Sequence, residues 1–204
     1  MSEPLRLAVL ASGAGSNLQA LIDQVHGREG MEIVAVASDK AGAQALVGAR
    51  AAGVPVGVFA ASDYPDRAAR DRALAGWLTE QETELVVLAG YMQIVTADFL
   101  EYFPQRVINL HPSLLPAFPG LHAVEQALAY GVKVFGVTVH FVDEGVDSGP
   151  VIFQQAVELP GARTVEDVMG ALRELEHRLL PAAVKSFAAG ALRVDPGHPR
   201  RILV

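Results

Sequence analysis

The stretch LRLAVLASGAGSNLQALI, residues 5–22, decides the fold. Residues 5–11 are apolar apart from Arg6, which suits a short strand buried on both faces. Gly13-Ala14-Gly15 turns the chain, and a helix is expected from Asn17 to about His26. Strand, glycine turn and helix make the opening unit of a parallel sheet. The same alternation continues outward. Apolar runs at 33–37, 54–59, 85–89 and 107–110 are separated by helical stretches at 43–52, 67–81 and 96–102. In the second of these helices, Ala69, Ala73, Leu74, Trp77 and Leu78 recur at helical spacing. The expected class is α/β, a mostly parallel sheet with helices on both faces.

The pattern changes after residue 130. Residues 134–142 and 151–159 read as two strands with no helix between them, expected to pair antiparallel at the far edge of the sheet. The longest helix covers 164–189, with Thr164 as N-cap and Glu166 and Asp167 in its first turn. Pro181 is expected to kink or divide it. The tail, residues 195–204, contains two prolines and a glycine and reads as irregular. No repeat or linker interrupts the chain, so one domain spans 1–204.

Composition narrows the function. The 204 residues are 51% hydrophobic and 19% charged, enough for a sizeable core. Sixteen Lys and Arg against 23 Asp and Glu leave a net charge of -7, which disfavours a nucleic-acid partner. There is no cysteine, so disulfides, thiolate metal sites and cysteine nucleophiles are excluded. Met1-Ser2-Glu3-Pro4 is not a signal-peptide start, and no apolar run approaches the ~18 residues of a membrane span. A cytoplasmic protein is expected.

Three segments carry candidate chemistry. Gly13-Ala14-Gly15-Ser16-Asn17 sits where backbone N–H groups and a helix N-terminus favour an anion. No Walker lysine follows, and Leu18 fills the third glycine position of a dinucleotide fingerprint. Asp39, ending the second strand, keeps a ribose-binding reading open. A plain tight turn with Ser16 or Asn17 capping the helix is the competing reading. Asn109 and His111 end an apolar strand on the same side, where α/β sheets bind ligands, and Pro112 restrains the histidine. Asp147 lies in a turn-rich acidic segment that also holds Asp143 and Glu144, and those two read as a solvated loop with an Asx-turn. His140 lies within a strand and reads as a core or near-site residue, and His122 as a cap or pocket wall. No histidine spacing suits a metal, so none is expected.

Four blocks taken together resemble the glycinamide ribonucleotide formyltransferases of purine synthesis: SGAGSNLQALI, VVLAGYMQIV, INLHPSLLPAFPGLHA and TVHFVDEGVDSGPVI. Glu176-His177 is a weaker fifth match, and the likeness spans roughly residues 5–190. It implies a single-domain, Rossmann-like formyltransferase fold. It also implies formyl transfer from 10-formyltetrahydrofolate, as co-substrate, to the amine of glycinamide ribonucleotide. By this resemblance Asn109, His111 and Asp147 are catalytic: Asn109 donates to the oxyanion, His111 donates a proton, and Asp147 favours the protonated imidazole. Gly15, Ser16 and Asn17 match a phosphate loop and Glu176 a ribose contact. Met92, Gln93, Ile94 and Val95, with Val142, Glu144, Asn109 and Asp147, match a folate pocket, and Arg67 a position near the folate tail. Phosphate binding then belongs to about 1–105, catalysis and folate binding to about 106–190, and an irregular tail to 191–204.

Two departures stand out. Gln93 occupies a position where many relatives have arginine, and Ala117 one where lysine is common. Both bear on how the anionic tail is gripped. The competing readings are a formyltetrahydrofolate hydrolase, a non-enzymatic phosphometabolite or folate sensor, and a nicotinamide oxidoreductase, against which Leu18 is the main evidence. Small molecules are the expected partners, with no nucleic acid and no membrane, and the chain is expected to be a monomer or homodimer.

Overall fold

The computed structural model describes residues 3–203; Met1 and Ser2 of the N-terminal start, and Val204 of the tail, lie outside them. The chain forms two compact units, one ending at Ile108 and one beginning at Asn109. In the first unit, β1 (Leu5–Leu10), β2 (Met31–Ser38), β3 (Val56–Val58) and β4 (Leu85–Leu88) alternate with α1 (Ser16–Gln24), α2 (Gln44–Ala51) and α3 (Arg67–Glu80). Helix α4 (Ala97–Tyr102) leads to β5 (Val107–His111). The strand order β3-β2-β1-β4 is parallel throughout. Residues Leu7 to Leu10 and Leu85 to Val87 are fully buried, as strands covered on both faces must be.

This order has a functional consequence. The chain runs from β1 outward to β3, then returns to place β4 on the other side of β1. Such a reversal opens a crevice at the carboxyl ends of the two strands, the usual ligand site of open α/β sheets. The loops after β1 and β4 meet there. Ser12 N–H donates to the Gly90 carbonyl at 3.0 Å, and Met92 N–H donates to Ser12 Oγ at 2.8 Å.

The second unit contains α5 (Ala123–Tyr130), β6 (Val134–Phe141), β7 (Val151–Glu158), α6 (Val165–Ala188), β8 (Arg193–Asp195) and β9 (His198–Leu203). Strands β6 and β7 pair antiparallel, with a register shift between Val139 and His140. The class is therefore α/β with a mostly parallel sheet and a late antiparallel strand pair.

Three sequence expectations need correction. Strand β7 is not an edge, because β9 joins it in parallel and β8 pairs antiparallel with β9. The tail is accordingly a short hairpin; its turn is closed by Gly197 N–H donating to Asp195 Oδ1 at 2.8 Å. Its exposed, charged strands carry no apolar period that would announce them. Helix α6 is also undivided, running through Pro181. An interior proline costs ~3 kcal/mol. Val168, Leu172, Leu180 and Val184 are fully buried on one stripe of the helix, which packs against β6 and β7. Burying each is worth about 1.5–3 kcal/mol, enough to offset the proline. A capping box joining Thr164 and Asp167 starts this helix.

Candidate active site

Strand β5 alternates apolar and polar residues at its end. Asn109 is half-buried and His111 is 5% exposed, with Leu110 turned the other way. The following loop is tied down by buried hydroxyls. Thr138 Oγ donates to the Ser113 carbonyl at 2.7 Å and accepts from Leu115 N–H at 3.2 Å, while Gln154 Nε2 donates to the Leu115 carbonyl at 2.7 Å. Strands β6 and β7 thus hold the loop that faces the histidine.

Asp147 collects the site. Its Oδ2 accepts from Gly120 N–H at 2.7 Å and lies 3.3 Å from His111 Nδ1. Its Oδ1 accepts from Asn109 Nδ2 at 3.2 Å and lies 3.6 Å from His140 Nε2. The three residues singled out from sequence are therefore in direct contact. The last separation suits an ion pair better than a hydrogen bond, so the Gly120 amide is the firmer anchor. Asp147 adopts φ 50°, an uncommon left-handed backbone for aspartate, and Phe118 (φ 51°) and His122 (φ 61°) do likewise in the facing loop. Strain of this kind persists where surrounding bonds over-determine the loops.

The ring nitrogens are assigned by their acceptors. A carbonyl can only accept, so His111 Nε2–H donates to the Phe118 carbonyl at 2.9 Å. Its Nδ1 faces the carboxylate, and the imidazolium form satisfies both acceptors at once. His140 Nδ1–H donates to the Phe141 carbonyl at 2.8 Å, and its Nε2 lies 3.2 Å from Asn109 Nδ2 and 3.6 Å from Asp147 Oδ1. The amide of Asn109 is thus engaged by Asp147. His140 is the residue that sequence reasoning left ambiguous. Its signal was a polar residue amid the apolar run of β6, fully visible but open to a purely structural reading.

Burial acts to raise the Asp147 pKa. The hydrogen bonds from His140 and the Gly120 amide, together with the charges of His111 and His140, outweigh it and hold the carboxyl below its ordinary 3.8.

The remaining residues of this unit differ in character. Asp143 Oδ1 accepts from Gly145 N–H at 3.1 Å and Ser148 Oγ at 2.7 Å, closing the acidic loop on itself as an Asx-turn. Glu144 is exposed and Val142 half-buried. Glu176 is 6% exposed, set within the apolar stripe of α6. His122 is at the N-cap position of α5 without capping it, and pairs with Glu125 at 3.2 Å.

In the first unit the glycine loop is a built feature. Gly15, not Ser16 or Asn17, is the N-cap of α1, and no side chain caps the helix. Its φ of 81° favours glycine, and a Cβ there would meet Ala45 Cα at 2.7 Å. The loop is held to α2 by Ala45 N–H donating to the Gly13 carbonyl at 3.1 Å. A cavity of about 270 Å³ adjoins it, lined by Gly15, Ser16, Leu18, Gln19, Gln44 and Gly48 among others. Leu18, at 1% exposure, is a core residue.

After β4, Met92 and Ile94 are about half exposed, Gln93 is half-buried and Val95 is buried. Arg67, at the start of α3, is exposed. Asp39, considered above for a ribose, accepts from Gln93 Nε2 at 3.0 Å instead. The Tyr91 phenol is pushed up to about 12, chiefly by burial, so it stays neutral. Among the described residues, no group of three or more histidines and carboxylates could hold a metal ion, and no helix is long and apolar enough to cross a membrane.

One unit is a parallel α/β sheet with a glycine loop, and the other presents an Asn-His-Asp cluster, the features of a group-transfer enzyme. The chain belongs to the formyl transferase family, which it matches over residues 5–184. Phosphoribosylglycinamide formyltransferase of Mycobacterium tuberculosis (strain H37Rv) is 45% identical over 193 residues, 95% of this chain and 89% of that one. The Bacillus subtilis (strain 168) protein of the same name is 40% identical over 184 residues, 89% of this chain and 94% of its own. The crystal structure of glycinamide ribonucleotide transformylase 1 from Symbiobacterium toebii superposes with a TM-score of 0.95 at 46% identity, covering 100% of this chain and 95% of that one.

The depressed Asp147 carboxyl sets a pH dependence. Its contribution to stability is complete above the unfolded value near 3.8 and is lost as pH falls through the lower folded value. The stability difference between the unmodified protein and Asp147→Asn, measured by urea unfolding from pH 6 to pH 2.5, should therefore shrink below about pH 4. A difference independent of pH would mean that the carboxylate has no such partners.

Proposed function

We propose that this chain transfers the formyl group of 10-formyltetrahydrofolate to the amine of glycinamide ribonucleotide, a step of purine synthesis. The observation that carries the reading is the contact of one carboxylate with both Asn109 and His111 at the end of β5. The substrate amine attacks the formyl carbon, and a new C–N bond forms as the bond to folate N10 breaks. Negative charge gathers on the formyl oxygen and positive charge on the attacking nitrogen. Asn109 offers an amide N–H to that oxygen, and the His111 cation stabilises it and supplies a proton toward N10. Asp147 keeps the imidazolium favourable and provides the route for the amine proton.

The binding residues follow from the same reading. The uncapped first turn of α1 at Gly15, Ser16 and Asn17 suits a monophosphate, and Glu176 serves the ribose. For the folate, exposed Met92 and Ile94 supply apolar faces of the kind a flat heterocycle needs. By the family resemblance, Gln93, Val95, Val142 and Glu144 are also assigned to the folate, and Arg67 to its tail. This reading has the chain acting in the cytoplasm on small molecules. No observation favours a formylfolate hydrolase or a sensor.

Incubation with 10-formyltetrahydrofolate should give tetrahydrofolate only when glycinamide ribonucleotide is present. Acceptor-independent release would point to a hydrolase, and no release at all to a sensor. His111→Ala and Asn109→Ala should each reduce turnover by about a hundredfold or more while both substrates still bind by calorimetry. Near-normal turnover in either variant would remove that residue from the mechanism.

A second outcome concerns the glycine loop. Gly15→Val places a branched side chain at φ 81° against Ala45, so it should lower the melting temperature as well. Above the melting point's effect, affinity for the ribonucleotide should fall far more than affinity for the folate. Equal loss of both ligands in the folded variant would make the loop a structural turn only.

A further inference from the structure

Helix α3 buries a charged pair that its apolar spacing did not announce. Arg70 is 2% exposed and Asp71 is fully buried. The guanidinium donates Nε and Nη2 to Asp71 Oδ1 at 2.9 and 2.6 Å. Its remaining arm, Nη1, donates to Gln93 Oε1 at 2.8 Å. Gln93 passes the connection on, its Nε2 donating to Asp39 Oδ2 at 3.0 Å. The second Asp71 oxygen accepts from Thr96 N–H at 2.7 Å. One buried cation therefore holds the loop after β4 at two points, the Gln93 side chain and, through Asp71, the backbone at Thr96.

A buried ion pair is weak evidence for stability, because desolvation cancels most of its attraction. A role in ordering the chain is the better account of this one. We propose that Arg70 is a positioning residue for the folate-binding segment: it orients the Gln93 amide and fixes the 92–95 backbone so that Met92 and Ile94 are presented outward. The inference rests on the reading that this segment meets the folate. It also explains Gln93. Arginine at 93 would replace the Gln93 Oε1 that now accepts from Arg70 Nη1 with a second donor, leaving two guanidinium groups facing each other. Positions 70 and 93 accommodate one cation between them, on either residue.

Lysine at 70 keeps a charge beside Asp71 but lacks the planar fork that also reaches Gln93. In the full chain, Arg70→Lys should raise KM for 10-formyltetrahydrofolate about tenfold, the scale of one charge-assisted hydrogen bond, with kcat and KM for the ribonucleotide within about twofold. Hydrogen exchange at the Thr96 amide should quicken, while the amides of β1 keep their protection. Gln93→Arg alone should lower the melting temperature and raise the same KM, and the exchange R70Q/Q93R should recover most of both. The positioning role is overturned if folded Arg70→Lys keeps the folate KM and the Thr96 exchange rate of the unmodified protein. It is equally overturned if Gln93→Arg is tolerated with Arg70 in place, a result that holds even if Arg70→Lys does not fold. Absence of acceptor-dependent turnover in the unmodified protein would instead overturn the functional reading, and exchange at Thr96 would then decide the Arg70 claim on its own.

Discussion

The carboxylate of Asp147 is the point on which the polar cluster of the second unit converges. It accepts from the Gly120 amide and from Asn109, and it faces the rings of His111 and His140. Three separate segments, the end of β5, the loop behind it and the turn between β6 and β7, are joined through two oxygen atoms. Asp147 holds this position with a left-handed backbone at φ 50°. A carboxylate so surrounded stays ionised. Electrostatics and backbone strain are thus two sides of one arrangement.

The first unit solves a different problem by different means. Gly15 starts α1 in a left-handed backbone, and no side chain caps the helix there. The same glycine admits α2 close by, since Ala45 occupies the space a Cβ would take. Small residues therefore let the two helices pack closely. The loop after β4 is ordered instead by side chains, through the buried Arg70 and Asp71. One loop is thus shaped by close backbone packing and the other by a buried side-chain brace.

Much of this was legible in the chain itself. The apolar strands, the glycine turn after β1 and the Asn109-His111 alternation are local patterns with a period of two or a fixed turn chemistry. Four sequence blocks were sufficient to indicate the formyltransferase family, and with it the reaction. Helix α6 was visible too, but its continuity through Pro181 was not, because the apolar stripe that offsets the proline acts only when packed on β6 and β7. The terminal hairpin escaped for the opposite reason, since exposed charged strands have no buried face to mark them.

What the sequence determined by itself was the order of elements and the residue types at each strand end, since both follow from spacing along a short stretch of chain. Tertiary structure alone decided that Asp147, 38 residues beyond Asn109, meets it and His111 directly, and that His140 joins them. It alone turned Arg70 inward to Asp71 and Gln93. No periodicity specifies such contacts. They depend on how loops close over strand ends, and loop closure is governed by the packing of distant elements rather than by the residues at the contact.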